Sequence, residues 1–267
     1  MKQLLKFTGL LLLTLFFQAC AGLHVFNTVQ SPDLGAKGEG KITAYTGLDH
    51  AELQGAYALC KHYAIMANTY SSWATNTNES NSGGTMFGEA AFGRFQCIKK
   101  DTVKNRAWYY DVYAGGGWGQ RKYLGTSQVF TLAESDEWSL FSDYEKTFLQ
   151  ASVFRRTKNW IASFTLQGAW FYYNTFNYKL IYAQNGYYSG AQTDFRDHSF
   201  FDINGAFTLK RQIHRIALVL QLAANLPFIN ALPVHPEATN SYFEPTPFNS
   251  RPIGINFGLQ YSFKTRK

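Results

Sequence analysis

Charge is scarce in this chain. Asp, Glu, Lys and Arg make up 16% of its 267 residues, where an ordinary globular domain carries about 25%. No dense run of Lys or Arg accompanies the net charge of +7, so nucleic acid is excluded as an expected partner. Cysteine is rare, at three residues. No Cys/His set has the spacing of a zinc site, and neither metal nor cofactor is expected. The glycines of AGGGWG at 114–119 lack the following helix that a phosphate loop needs. They suit strand curvature or close packing near a rim. Long apolar runs are missing as well. The run from Leu10 to Phe17, interrupted by Thr14, falls well short of the ~20 apolar residues of a spanning helix. What the chain has in quantity is aromatic rings, 17% of all residues.

The first segment, MKQLLKFTGLLLLTLFFQAC, has a short basic start and a short apolar stretch, and closes on small residues. It matches a secretory signal over 1–19. Removing it takes away Lys2 and Lys6 and no acid, which lowers the net charge from +7 to +5. Phe17-Gln18-Ala19-Cys20 resembles a bacterial lipobox, with Phe17 where that pattern prefers Leu. The resemblance makes Cys20 the candidate lipidation site. The two other cysteines, Cys60 and Cys97, fall on strands that are expected to lie two apart in a sheet. With neighbouring strands ~4.8 Å apart, that gap exceeds the ~7 Å Cα limit for a disulfide. Free, partly buried thiols are expected.

Period-two alternation recurs through the rest of the chain. Phe201, Ile203, Gly205, Phe207 and Leu209 alternate with Asp202, Asn204, Ala206, Thr208 and Lys210. Near the C-terminus, Ile253, Ile255, Phe257, Leu259, Tyr261 and Phe263 alternate with glycines and small polar residues. Similar segments lie around 42–48, 53–59, 63–69, 86–92, 108–114, 147–153, 160–170 and 216–222, which makes ten candidate strands. Tight joins are expected at Lys61-His62, Lys99 to Lys104, Arg156 to Asn159 and Arg211-Gln212. Long ones are expected at 71–84, 119–141, 173–197 and 225–250. The two kinds alternate, apart from the short Asp49-His50. Short turns at one rim and long loops at the other, with an even strand number, are features of transmembrane β-barrels. The expected fold is therefore all-β, a ten-stranded antiparallel transmembrane β-barrel over 38–264, preceded by a periplasmic lead-in over 20–37. Such a barrel satisfies its backbone groups without water. Trp160, Trp170, Tyr172, Tyr261 and Phe263, near strand ends, suit interfacial girdles.

Lys37-Gly38-Glu39, followed by Gln54-Gly55-Ala56-Tyr57-Ala58, resembles the opening of small outer-membrane β-barrel proteins of Bacteroidota, which often carry a lipoprotein-type signal. The resemblance implies a fold and a compartment, the outer membrane, and supplies no active site. The last strand, ending at Phe263, resembles the signal by which bacterial outer-membrane barrels are read by their assembly machinery. It departs from that signal in its basic tail, Lys264-Thr265-Arg266-Lys267.

The inward parity collects Glu52, Glu89, Asp111, Asp202, Lys41 and Arg215. Buried charges must be paired, so this set reads as a polar plug, with an ion path or a ligand site as the alternative. Asp194, Asp197 and His198 gather before the eighth strand, with Asp49 and His50 at another rim loop. Omptin proteases also carry Asp and His at the rim of a ten-stranded barrel, but the adjacent Asp197-His198 does not have their spacing. The expected function is non-enzymatic: binding of a ligand or envelope partner through Tyr-rich outer loops and the Pro-rich stretch LPVHPEATNSYFEPTPF. A narrow channel for small solutes and a rim hydrolase are the alternatives. Outer-membrane lipid is the other expected partner.

Overall fold

The computed structural model describes residues 28–46, 50–73, 82–128, 135–184, 187–228 and 253–265. Among these there is no helix. The strands are β1 (Glu39–Thr46), β2 (His50–Ala58), β3 (Tyr63–Trp73), β4 (Ser82–Asp101), β5 (Arg106–Gln128), β6 (Ser135–Arg156), β7 (Trp160–Gln184), β8 (Tyr187–Phe195), β9 (His198–Ile213), β10 (Ile216–Phe228) and β11 (Ile253–Lys264). Each pairs antiparallel with its neighbours. The ring closes where β1 meets β11, with Ile42 opposite Tyr261, and where β6 meets β7. β8 and β9 share one edge of β7. β9 lies along Trp160–Tyr173 and β8 along Phe176–Gln184. The two therefore fill one position, interrupted at Asp197, whose φ is 55°, and the barrel has ten strands.

The alternation read in the sequence is the alternation of the wall. Ile42, Leu53, Ile65, Phe92, Leu149, Phe164, Phe207, Leu218, Phe257 and Leu259 point outward and are exposed. Between them, Thr43, Gln54, Asn68, Gln150, Thr165, Thr208, Gln221 and Gln260 point into the bore and are buried. A sheet facing two different media must take this form, because successive side chains point to opposite faces.

The turns at 59–62, 102–105, 157–159 and 214–215 all lie at one rim, here called the lower rim, together with the start of β1 and the end of β11. The connections at the upper rim depart from expectation. Much of 119–141 and 173–197 is not loop: the hairpins β5–β6 and β7–β8 continue through it. Their Tyr, Phe, Thr and Trp content favours strands, so four strands on one side of the barrel outgrow the rest. The β9–β10 turn is His214-Arg215, not Arg211-Gln212, because the strands pair on to Ile213 and Ile216. Cys60 sits in the β2–β3 turn and not on a strand. Cys60 and Cys97 are both free, Cys60 half-buried and Cys97 exposed. The glycine run lies in mid-β5 and not near a rim. There a Cβ on Gly115 would come within 2.3 Å of the Ala90 carbonyl, so close backbone approach explains it.

Candidate functional site

The bore is not empty. Thr28, Val29, Gln30, Ser31, Asp33 and Leu34 are all buried inside the ring. Residues 20–37 were expected to form a periplasmic lead-in; from Thr28 to Leu34 the described chain runs inside the barrel. SPDLGA has no two-residue period, and Pro32 has no N–H to give to a ladder, so the segment joins no sheet. Its Thr28 N–H donates to Glu52, 2.9 Å away, near the upper end of β2. From there the chain descends to Gly38, where a φ of +73° turns it back up as β1. A Cβ at Gly38 would lie 2.7 Å from the Thr265 hydroxyl, so glycine is required there twice over.

The wall holds this segment mainly by its backbone. Gln54 Nε2 donates to the carbonyl of Thr28 (3.2 Å), Gln221 Nε2 to that of Val29 (2.8 Å) and Gln150 Nε2 to that of Gln30 (2.7 Å). Lys210 Nζ donates to Ser31 O (2.8 Å), and Lys41 Nζ (2.6 Å) and Arg156 both donate to Asp33 O. The side chains add a smaller set of contacts. Ser31 and Ser163 hydroxyls lie 2.9 Å apart, Gln30 Nε2 reaches Gly55 O, and the Asp33 carboxylate pairs with Lys210. Small wall residues make the room. Ala206 and Ala223 pack on Val29, and Ala58 and Ala64 share a cluster with Leu34.

At the lower mouth Glu39 ties the segment to the wall. It accepts from the Gly35 N–H at 2.7 Å and from Arg156 at 2.9 Å, and its carboxylate lies 3.7 Å from Lys41. The Lys37-Gly38-Glu39 motif thus has a local explanation: a left-handed turn followed by an acid that caps the segment. Just outside, the Cys60 thiol is held below the ordinary thiol range by backbone N–H groups of His62 and Tyr63, with Lys37 adding a little.

The upper bore is closed differently. Phe87, Tyr144, Phe148, Phe171, Tyr173 and Phe176 form a buried aromatic cluster. Lys146 Nζ lies 5.2 Å from the ring centre of Phe87 and 5.0 Å from that of Phe148. The same ammonium meets Glu89 at 2.8 Å. A charge this dry requires such a partner and gains from ring faces.

Of the residues singled out from sequence, Glu52, Glu89, Asp111, Asp202 and Lys41 all line the bore. Arg215 does not: it is exposed in the β9–β10 turn, three residues beyond the expected turn. Lys146 pairs with Glu89, while Lys210 pairs with Asp33, and Lys41 and Arg156 with Glu39. Lys210 lies in the polar phase of its strand and was legible there. Lys146 follows by extending the Thr147–Val153 alternation one residue back. Asp111 is buried opposite Ser152 of β6, whose hydroxyl is the side-chain donor to its carboxylate.

At the upper rim, Asp197 accepts from the Tyr172 hydroxyl at 2.8 Å, and His50 stacks on Tyr70 with ring centres 5.6 Å apart. Asp194 is an exposed residue of β8, His198 is the first residue of β9, and Asp49 and 229–252 lie outside the described residues. No group of three or more His, Cys, Asp or Glu among the described residues could hold a metal ion.

The outer face carries an apolar belt between two rows of rings. Trp108, Tyr63, Trp160 and Tyr261 lie toward the lower rim, and Trp73, Trp118 and Trp170 toward the upper. Arg155 and Arg211 lie over Trp108 and Trp160, 5.8 and 5.6 Å from the ring centres. Phe263 stacks near Tyr57 and Tyr261 and covers Gly40, where a Cβ would clash with its ring. No protein-family model matches the chain, and no curated protein matches its sequence.

Proposed function

We propose that this chain is a non-enzymatic outer-membrane barrel that binds a ligand or an envelope partner at its upper rim. One observation carries the reading: the bore is filled in both halves, by the segment below and by aromatic side chains above, so no open passage favours transport and the surface free to meet an envelope partner is the outside of the barrel with its long strands. The outward apolar belt with aromatic rows at both edges supports a bilayer as the surrounding medium, because it matches hydrocarbon in the middle and amphipathic interface at the ends. The signal-like start supports export, with Cys20 as the lipid-bearing residue. The strand ending at Phe263 supports delivery by barrel-assembly machinery. The β5–β6 and β7–β8 hairpins stand above the rest of the wall and supply a ready docking edge.

The test is extraction of the tagged protein from native membranes in mild detergent, followed by native mass determination. A rim partner gives a defined larger assembly, lost when 229–252 or the β7–β8 tip is replaced by a short Gly-Ser link. A monomer in every condition removes the partner and leaves small ligands. Steady single-channel conductance of the intact protein in a planar bilayer overturns the reading in favour of a channel.

A further inference from the structure

The lower bore is built like a binding site for a peptide main chain. Of the six carbonyls from Thr28 to Asp33, five are taken by donors from the wall: Gln54, Gln221, Gln150, Lys210, and Lys41 with Arg156. These donors stand on β1, β2, β6, β9 and β10, on all sides of the segment. They read main chain, which every polypeptide presents. Side-chain reading is lighter: the Asp33 carboxylate on Lys210, the Ser31 hydroxyl on Ser163, Gln30 on the Gly55 carbonyl and the Thr28 hydroxyl on Gln54. The segment takes no place in the β-ladders. Its backbone-to-backbone bonds to the wall begin at Gly38, whose N–H donates to Ala58 O at 2.9 Å. Wall side chains therefore hold it as they would a ligand, and one covalent link at the lower mouth keeps it in place.

We propose that the bore is a peptide-binding tube whose resident ligand is the chain's own TVQSPDLGA, residues 28–36, and that it accepts in trans a peptide with an acidic residue in the position of Asp33, where the bound backbone bends through a φ of 49°. Recognition runs chiefly through backbone carbonyls, with the Asp33 carboxylate as the one charged side chain that the wall pairs. The inference depends on the barrel and its contents and not on where the barrel resides, so it stands or falls separately from the membrane reading.

The experiment starts from the full chain, folded in detergent, with a protease site inserted between Ala36 and Lys37. After cleavage, a fluorescent TVQSPDLGA peptide is added in excess. The expected result is retention of the cut segment through gel filtration, then its exchange for the labelled peptide. Replacing Gln150 and Gln221 together by Leu removes two of the carbonyl donors and should weaken labelled-peptide binding about tenfold to a hundredfold. Peptides with ester links after Val29 and after Gln30 make those two carbonyls poorer acceptors and leave every side chain unchanged. They should weaken binding in the same direction, and their effect should vanish in the Gln150→Leu/Gln221→Leu barrel. Peptide that fails to enter, or binding that ignores both the glutamines and the esters, overturns the proposal. Should the inserted site prevent folding, the uncut chain gives the same comparison by hydrogen exchange. Amides of 28–34 should exchange at least tenfold faster in the Gln150→Leu/Gln221→Leu barrel while those of the β4–β6 wall do not. Unchanged exchange in the segment then overturns it.

Discussion

Below its middle, the bore is filled by a stretch of chain that belongs to no sheet; above it, by rings that the wall strands themselves project. Both fillings hold lysine away from water, with opposite consequences. Lys146 is paired within the wall, to Glu89, and its surroundings are aromatic. Lys210 and Lys41 are satisfied by groups on the segment, the Asp33 carboxylate and the Ser31 and Asp33 carbonyls. The upper closure is thus part of the barrel's own stability. The lower one is a contact between two parts that are covalently joined at one end. A polar wall is what makes this arrangement workable, since Gln and Lys can reach main-chain acceptors from several sides, whereas packed rings can fill only a fixed shape.

The sharpest way to break this contrast is at Lys146. Lys146→Ala strands the Glu89 carboxylate in a dry aromatic site and should cost about 3–5 kcal/mol of barrel stability. Lys146→Met with Glu89→Leu should recover most of that loss, as urea unfolding in micelles would read. If the single change proves mild, water reaches the upper bore and the two halves are less different than described. Next in size is Asp33→Asn, which leaves Lys210 with a carbonyl but no counter-charge. A local cost of about 1–3 kcal/mol is expected, seen as faster amide exchange in 28–34 with the unfolding midpoint of the wall unmoved. A matching drop in the midpoint would mean that the segment is integral to the fold.

Asp111→Asn comes third. Its buried carboxylate is reached by the Ser152 hydroxyl opposite it on β6, a bond that an amide oxygen can also accept, so the amide should be neutral or more stable by up to about 1 kcal/mol. A clear loss would reveal a further partner for the carboxylate. Smallest is the effect at the lower mouth. Because the Cys60 thiol is lowered chiefly by the His62 and Tyr63 backbone N–H groups, maleimide labelling should rise with pH and level off at a lower pH than for free cysteine, since the thiolate is the reactive form. Lys37→Ala should change this little. A marked slowing would tie the thiol to the segment and not to the turn.

The wall was legible from sequence because a strand between two media must alternate, and Phe201–Lys210 or Ile253–Phe263 does so without a break. The inward acids came from the same parity. Arg215 was misplaced because the polar pair Arg211-Gln212 looks like a turn, while the ladder continues through it to Ile213. The tall hairpins were read as loops because Asn, Ser and Gly at 119–141 and 173–197 mask their strand-forming neighbours. The segment in the bore left no periodic trace at all. Its contacts are made by the glutamines of the wall, and a glutamine in an inward phase does not say whether it faces water, another amide or a passing backbone. Gly38 was the nearest thing to a clue, since a glycine ahead of an acid at the foot of a strand suggests a reversal.

The reversal at Gly38 also bears on the order in which this barrel can be made. The segment inside the ring and β1, which closes the ring against β11, are consecutive in the chain. Glu39 pairs with Lys264, so the seam joins the two ends of the barrel sequence and is the slowest kind of contact to form. A ring sealed before the segment was inside would have to draw it, against the direction of β1, through a passage already lined with dry side chains. Threading before sealing meets no such obstacle. For the tethered segment the shorter route is for the wall to curl around it as a sleeve is wrapped around a cord, with Phe263 laid over Gly40 at the seam; a short free peptide, with no chain trailing from either end, has a finished tube to enter end-on.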